Sequence, residues 1–586
     1  MVKTAGTFQV DLGAVINLLS RNLYSSPGVY LRELVQNSYD AISAREEYES
    51  LPISRQITIS PVSVASYNAE KHEITIQDAG IGLTADDVVI LLATVGATSK
   101  KSDITADRRT YLGQFGIGLL SCFLIADEIT VISQHANGSP PIRWVGRADG
   151  TYATEILNEN IRIGTTVKLT PKPDMFGWAR PEQVIPLLRK YAEFLPAQIL
   201  VGTRNGETEI SAEPPYLRFG NHRAAILAGT APIYGGIGCG KQFDAINLNA
   251  PNLGLTGVAY IGSRANRQSG AGNNRVYVGG MLVSDSDASL LPTWATFAWA
   301  VVDGLMLEPT ASREAVTGNQ ALTEARTYIG QQILGWITEL AQTDSIRFEE
   351  FVHEYRKDLL AALTNAYDES HIELMRTILP KLVVETTQGE YYIGDLINLS
   401  HQVLYANTVD EFRSIAAFNP RGRLIVNAGY TGVSELLHAI PIIYPEVSIK
   451  RVFPAAEASL LQAPPADQTD LAFRLQQRAQ TSLAQTETEV AVRRLPSADL
   501  PGIYVGRGGV AVTLGSNSRA NYLVLNWDNK VIRALAEIPD DIVFERIVTV
   551  LYVQARMAGN ADTPTDRQLL VGALDDIIAL AVGVPD

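Results

Sequence analysis

Tyr30–Ala41 reads YLRELVQNSYDA, and its spacing decides the fold of the first third of the chain. Leu31, Leu34, Val35, Ser38 and Ile42 recur at the period of a helix and predict a buried stripe. Glu33 and Asn37 stand one turn apart and share another face. That spacing projects a carboxylate, able to polarise a water, beside an amide oxygen able to ligate a hard cation.

Working outward, Ile74–Leu83 reads ITIQDAGIGL, a strand ending in an acid and then a turn with two glycines. Asp78 at a strand end is placed to accept a hydrogen bond from an exocyclic amine such as that of adenine. Gly80 and Gly82 let backbone approach a flat ring closely. Thr84-Ala85-Asp86-Asp87 is a capping box that predicts a helix through Leu92.

Gly113–Gly118, GQFGIG, directly precedes the apolar run LLSCFLIA, which predicts a helix opened by three glycines whose N–H groups face phosphates. The spacing is not that of a dinucleotide-binding turn, and the lysine of a P-loop is missing. Thr98–Thr110 reads as a polar flap. Gly164-Thr165-Thr166 opens the strand VKLT and offers a hydroxyl at its start. Each piece alone is an ordinary local feature; their order and compatibility within one domain carry the argument.

The remaining composition narrows the possibilities. At 586 residues the chain is long enough for three or four domains, and 46% hydrophobic with 19% charged residues is globular composition. A net charge of −15 argues against sequence-independent nucleic-acid binding. Cys122 and Cys239 are the two cysteines, so neither a disulfide framework nor a cysteine-rich zinc site is expected, and a reducing cytoplasmic setting fits. The seven histidines form no pair at metal-ligand spacing on one helix. No secretory signal and no membrane span are expected.

Beyond residue 205 lies a glycine-rich zone, Gly202 to Gly240, read as a linker. Arg275–Val283 alternates as a strand, and Asn319–Leu340 and Arg347–Leu363 read as amphipathic helices. Phe453–Thr469 carries three prolines and many alanines, linker-like composition ahead of a helix at Asp470–Ala484. Thr563-Pro564-Thr565-Asp566 caps a terminal helix, LLVGALDDIIALAV, whose apolar set Leu570, Leu574, Ile577, Ile578 and Ala581 is widened by Leu569 and Leu580. Such a helix packs either onto its own domain or against a second copy.

With these motifs in order, the sequence resembles the GHKL superfold of ATP-binding domains. Within that superfold it is most similar to the ninety-kilodalton heat-shock chaperones in their bacterial form, high-temperature protein G. The likeness continues through RVYVGGMLVSD (275–285), LLPTWATFAWAVVDGLMLEPTASREAV (290–316) and YLVLNWDNKVIRALAEIPD (522–540). Topoisomerase, histidine-kinase and MutL relationships do not account for that C-terminal half.

The resemblance implies an α+β multidomain protein. A GHKL (Bergerat) α/β-sandwich ATPase domain spans 1–205, an α/β middle domain spans 215–452, a linker and helix follow at 453–485, and a mixed dimerisation domain takes 486–586. It implies ATP and Mg2+ as ligands, a homodimer joined through the C-terminal domain, client proteins as partners, and neither nucleic acid nor membrane. Glu33 would be the general base, Asn37 the magnesium ligand and Asp78 the acceptor of the adenine amine. Gly82 and Thr165 would support the adenine end. Gly113, Gln114, Phe115, Gly116, Ile117 and Gly118 would wrap the phosphates, and Arg313 would reach the γ-phosphate.

The chain also departs from the family pattern. Leu91–Lys100, LLATVGATSK, lacks the family's nucleotide-contacting Asn and Lys at their places, leaving Lys100 and Lys101 as the nearest cations. Thr317 stands where the family has a glutamine partner of the arginine. The terminal Val584-Pro585-Asp586 lacks the acidic tail that recruits eukaryotic co-chaperones. The expected activity is ATP-dependent chaperoning; the alternative is a nucleotide-gated scaffold with negligible hydrolysis.

Overall fold

Runs rich in Ile, Val and Thr form the strands, and helices with one apolar face cover them. The computed structural model describes residues 26–62, 72–89, 118–159, 161–204, 206–214, 217, 233–234, 237–238, 242–262, 274–310, 314–362, 369–419, 422–506, 521–559 and 561–582. The chain divides into two compact units, residues 1–336 and 337–586. As the sequence implies, the architecture is α+β throughout.

In the first unit, helix α1 (Val29–Glu49) leads into β1 (Gln56–Ser60) and β2 (Ile74–Asp78). A meander follows of β3 (Ala126–Gln134), β4 (Ile142–Arg147), β5 (Tyr152–Ile156) and β6 (Gly164–Pro171). Helix α2 (Pro181–Ala192) then precedes the hairpin of β7 (Gln198–Thr203) and β8 (Gly206–Glu209). These eight strands form one sheet ordered β5-β4-β3-β6-β2-β1-β7-β8, antiparallel except where β1 runs parallel to β7. The strand expected to end at Asp78 and the one opened by Gly164-Thr165-Thr166 are β2 and β6, neighbours at its centre.

Helix α1 packs on β1 and β2 and against α2. Leu31, Leu34, Val35, Ser38 and Ile42 are all buried, as their spacing predicts, and they share a core with Ile57, Ile59, Ile74, Ile76 and Leu169. The capping box at Thr84 is present, with Thr84 Oγ1 accepting from the Asp87 N–H at 3.2 Å and the Asp87 carboxylate accepting from the Thr84 N–H at 2.9 Å.

The run after Gly118 departs from expectation. Gly118–Leu124 is a 3-10 helix, not an α-helix. The Ser121 hydroxyl donates to the Gly118 carbonyl at 2.6 Å, and β3 begins as early as Ala126, so one tight segment is all the connection holds.

A small hairpin, β9 (Ile233–Tyr234) with β10 (Ile237–Gly238), leads to a five-stranded sheet. It contains β11 (Asp244–Ala250), β12 (Leu255–Ile261), β13 (Arg275–Val278), β14 (Met281–Ser284) and β15 (Ala298–Gly304), ordered β11-β12-β15-β13-β14. The single strand expected at Arg275–Val283 is therefore a hairpin. Both halves are buried on both faces, so no alternation marks the break. Gly279 and Gly280, with φ of 60° and 81°, supply the two-residue turn that suits twisted strands.

Helix α3 (Gln320–Thr343) carries the chain into the second unit. The helix expected over 347–363 is broken at Tyr355 into Ser345–Glu354 and Arg356–Ala362. The second unit holds a five-stranded sheet, β16 (Val383–Thr386), β17 (Gly389–Tyr392), β18 (Gln402–Ala406), β19 (Ile425–Asn427) and β20 (Ser448–Arg451), ordered β17-β16-β19-β18-β20. Its three-stranded sheet is ordered β21-β23-β22, from β21 (Thr488–Arg493), β22 (Gly502–Val505) and β23 (Asn521–Asn526).

The proline- and alanine-rich stretch 453–469 is folded rather than extended. Pro454 opens a short helix, Pro454–Ser459, and Ala458 and Leu461 are buried with Val452, Ala491 and Val524 in one core. Linker-like composition and burial are compatible here because alanine and proline cost little side-chain entropy to bury.

The terminal helix, α4 (Pro564–Val582), starts as its capping sequence predicts: the Asp566 carboxylate accepts from Thr563 N and Oγ1, each at 2.7 Å. It packs along Asp541–Ala558, yet among its described residues Asp566 and Ala573 alone are buried.

Candidate functional site

The site is built where α1 crosses the end of β2. The Ile81 N–H donates to the Ala41 carbonyl at 2.9 Å, and Arg45 Nη1 donates to the Ala79 carbonyl at 3.0 Å, so the turn after β2 is tied to the middle of the helix. Asp78, read as a strand-end acid, is 8% exposed and not on a surface hairpin. Its Oδ1 accepts from Gly80 N at 2.9 Å and Thr165 N at 3.2 Å. Burial pushes its pKa up to about 6, opposed by the N–H groups of Gly80 and Thr165 and by the Ser38 hydroxyl.

The glycines are sterically required. Gly82 has φ of 74°, and a Cβ there would stand 2.1 Å from the Gln134 carbonyl oxygen. Gly164 has φ of 127°, and its Cβ would meet the Asp78 carbonyl oxygen at 2.2 Å. Ser133, fully buried, joins the segments: its hydroxyl accepts from Leu83 N at 2.8 Å and lies 3.1 Å from the Gly164 carbonyl and 3.0 Å from Thr165 Oγ1.

Five residues before Ser38, about 7.5 Å along a helix axis, lies Glu33. Glu33 is 2% exposed, and its Oε1 is 3.4 Å from Arg32 Nη2. Gly118, last of GQFGIG, abuts it so closely that a Cβ would stand 2.6 Å from Glu33 Oε2. Burial, with the Glu33 charge second, pushes the Cys122 thiol up and keeps it protonated. Asn37, one turn along α1, is exposed.

The structure thus brings Glu33, Asn37, Asp78, Gly82, Gly118 and Thr165 onto one helix and the backbone packed around it. Gly113, Gln114, Phe115, Gly116, Ile117 and Arg313 lie outside the described residues, as do the 98–110 flap with Lys100 and Lys101, and Cys239. Three residues that support the site escaped the sequence reading. The spacing of Ser38 marks it only as part of the core stripe, and neither Ser133, a serine within a strand, nor Arg32, beside Glu33, carries a spacing signal for the site.

Among the described residues no group of three or more His, Cys, Asp or Glu side chains is placed to hold a metal. The exposed Asn37 amide oxygen is a hard donor that would suit a magnesium ion whose other ligands came from phosphate and water.

With this geometry established, residues 24–149 match a family described as histidine kinase-, DNA gyrase B- and HSP90-like ATPase. Over 399 residues the chain is 25% identical to Chaperone protein HtpG of Wolinella succinogenes, covering 63% of each chain. It is 26% identical over 447 residues to the HtpG of Campylobacter jejuni, covering 68% of this chain and 70% of that one. The chain is a divergent relative of the HtpG chaperones. Its match to the Wolinella HtpG spans just under two thirds of that protein, and the ATPase-like segment coincides with α1, β2 and the glycine-rich run that build the site. No described helix is long and apolar enough to cross a membrane.

Proposed function

We propose that this chain is an ATP-hydrolysing molecular chaperone that works as a homodimeric clamp on client proteins in the cytoplasm. The observation that carries the reading is Glu33: a carboxylate withdrawn from water, paired with Arg32, covered by Gly118 and one turn from Asn37. A structural helix face has no need of a buried acid in that setting.

In this reading the adenine amine donates to Asp78, with Gly82 and Thr165 shaping that end. Backbone N–H groups of Gly113–Gly118 hold the phosphates, and Asn37 holds the cation. The magnesium ion bound with the nucleotide supplies charge compensation for the phosphate oxygens. Glu33 takes the proton from the attacking water as the water oxygen bonds to the γ-phosphorus and the bond to the β-phosphate oxygen breaks, releasing ADP. Arg313 compensates charge on the transferring group, and catalysis is mostly positioning and electrostatics.

We assign 1–205 as the ATP-binding domain, 215–452 as the middle domain, 453–485 as connecting segment and helix, and 486–586 as the dimerisation domain. Support for the last is α4, where Leu569, Val571, Leu574, Ile578, Leu580 and Val582 are exposed. The altered segment Leu91–Lys100 favours the second reading, a scaffold that binds ATP and turns it over negligibly. ATP turnover of the intact protein with Glu33→Ala and Arg313→Ala separates them: loss of rate in both variants with ATP still bound supports the clamp, and equal negligible rates leave the scaffold.

A further inference from the structure

The last turn of α2 lies between the candidate catalytic carboxylate and the hairpin β13–β14. The Tyr191 ring faces two cations: Arg32 Cζ is 5.5 Å from its centroid, and so is Lys190 Nζ. Lys190 Nζ continues to Asp285 Oδ2 at 2.8 Å, the residue directly after β14. Just past α2, the Phe194 ring lies 5.2 Å from Tyr277 of β13. The hairpin turn is pressed against this point, since a Cβ on Gly280 would stand 2.3 Å from the Phe194 carbonyl oxygen. The Asp303 carboxylate fixes that turn by accepting from Gly279 N and Gly280 N, each at 2.8 Å.

We propose that Tyr191 is a positioning residue for hydrolysis, its ring sharing the Arg32 guanidinium with Glu33 and linking that ion pair to the β13–β14 hairpin. The inference rests on Glu33 being the general base. Arg32 is 3% exposed, so its charge is compensated by what surrounds it rather than by water. A planar guanidinium can lie on a ring face while its edge meets a carboxylate. The Arg32–Glu33 contact of 3.4 Å is longer than the roughly 2.7–2.9 Å of a tight charge-assisted bond. With the ring present, part of the cation's stabilisation comes from Tyr191. Without it, Arg32 closes on Glu33 and ties up the oxygen that a water needs. Seating of the hairpin, through Lys190–Asp285 and Phe194–Tyr277, sets where the ring stands and so couples this hairpin to the carboxylate.

The test measures ATP affinity and kcat of the full-length protein for wild type, Tyr191→Phe, Tyr191→Leu, Arg32→Ala and the Tyr191→Leu/Arg32→Ala pair. Leucine keeps apolar bulk and removes the ring face; phenylalanine keeps the face. The expected result is a kcat loss of about three- to tenfold for Tyr191→Leu at unchanged ATP affinity, on the scale of a partly desolvated cation–π contact. Tyr191→Phe restores the rate, and the loss vanishes once Arg32 is gone. Wild-type kcat in Tyr191→Leu, the same loss in both Arg32 backgrounds, or lost ATP affinity in place of lost kcat overturns the proposal. A wild type that binds ATP without Glu33-dependent turnover overturns the hydrolysis reading itself and this inference with it, a result distinct from turnover that ignores Tyr191.

Discussion

The corner of α1 with β2 and the surface of α4 depart from ordinary folding in opposite directions. At the first, a carboxylate pair partner, an acid and two serines are buried: Glu33, Asp78, Ser38 and Ser133. At the second, apolar side chains are exposed along α4, with Leu574 at 40% and Ile578 at 57%. Stability alone favours neither arrangement, since buried polar groups need partners and exposed apolar groups forfeit burial. On the proposed reading, one region serves a ligand that brings hydrogen bonds and the other a partner that brings apolar surface, and each has perturbations that leave the other untouched.

The largest effect after removal of Glu33 itself is expected from Gly118→Val. Its side chain is driven onto Glu33 Oε2, and turnover falls on the order of a hundredfold, the lower range of a general base's contribution. Dimerisation is unchanged. Measuring kcat beside the molecular mass in solution checks both halves of that statement.

Next in size is Asp78→Asn. Loss of a charged acceptor costs ATP binding about 1.5–3 kcal/mol, or roughly ten- to a hundredfold in Kd, read by nucleotide titration. The same carboxyl predicts a pH signature. Binding the adenine amine uses the ionised form, so wild-type affinity falls as pH drops through about 6 and that dependence disappears in Asp78→Asn. For the unliganded protein the sign is opposite. A carboxyl raised from about 3.9 unfolded to about 6 folded is protonated more readily in the native state. Its contribution favours the fold below about pH 4 and is lost as pH rises through about 6, which thermal melts across that range detect by comparison with Asp78→Asn.

The smallest effect on the folded monomer is expected from Leu574→Glu with Ile578→Glu. Both positions are exposed, so monomer stability should shift by no more than about 0.5 kcal/mol each. The dimer, by contrast, should dissociate in sedimentation experiments while ATP binding persists. A dimer that survives both charges places the interface elsewhere.

Much of this was legible in the sequence for identifiable reasons. The stripe of α1 and the caps at Thr84 and Thr563 are local patterns, and Asp78 is followed by glycines that only a close backbone approach requires. What escaped depends on contacts distant in sequence. Ser133 gains its role from Leu83, Gly164 and Thr165, and Arg32 from Tyr191, 159 positions along the chain. The β13–β14 hairpin was read as one strand because complete burial erases alternation, leaving the paired glycines as the sole turn signal. Phe453–Thr469 has linker-like composition but joins the core through Ala458 and Leu461, since small side chains pack as readily as they connect.

The central claim is that the buried carboxylate on α1 serves chemistry rather than architecture. The most direct measurement is ATP turnover, with magnesium, by the full-length protein and by Glu33→Ala, alongside nucleotide affinity for each. The account predicts that both proteins bind ATP alike and that the variant loses at least about a hundredfold in rate. Equal rates in the two proteins at equal ATP occupancy would contradict it.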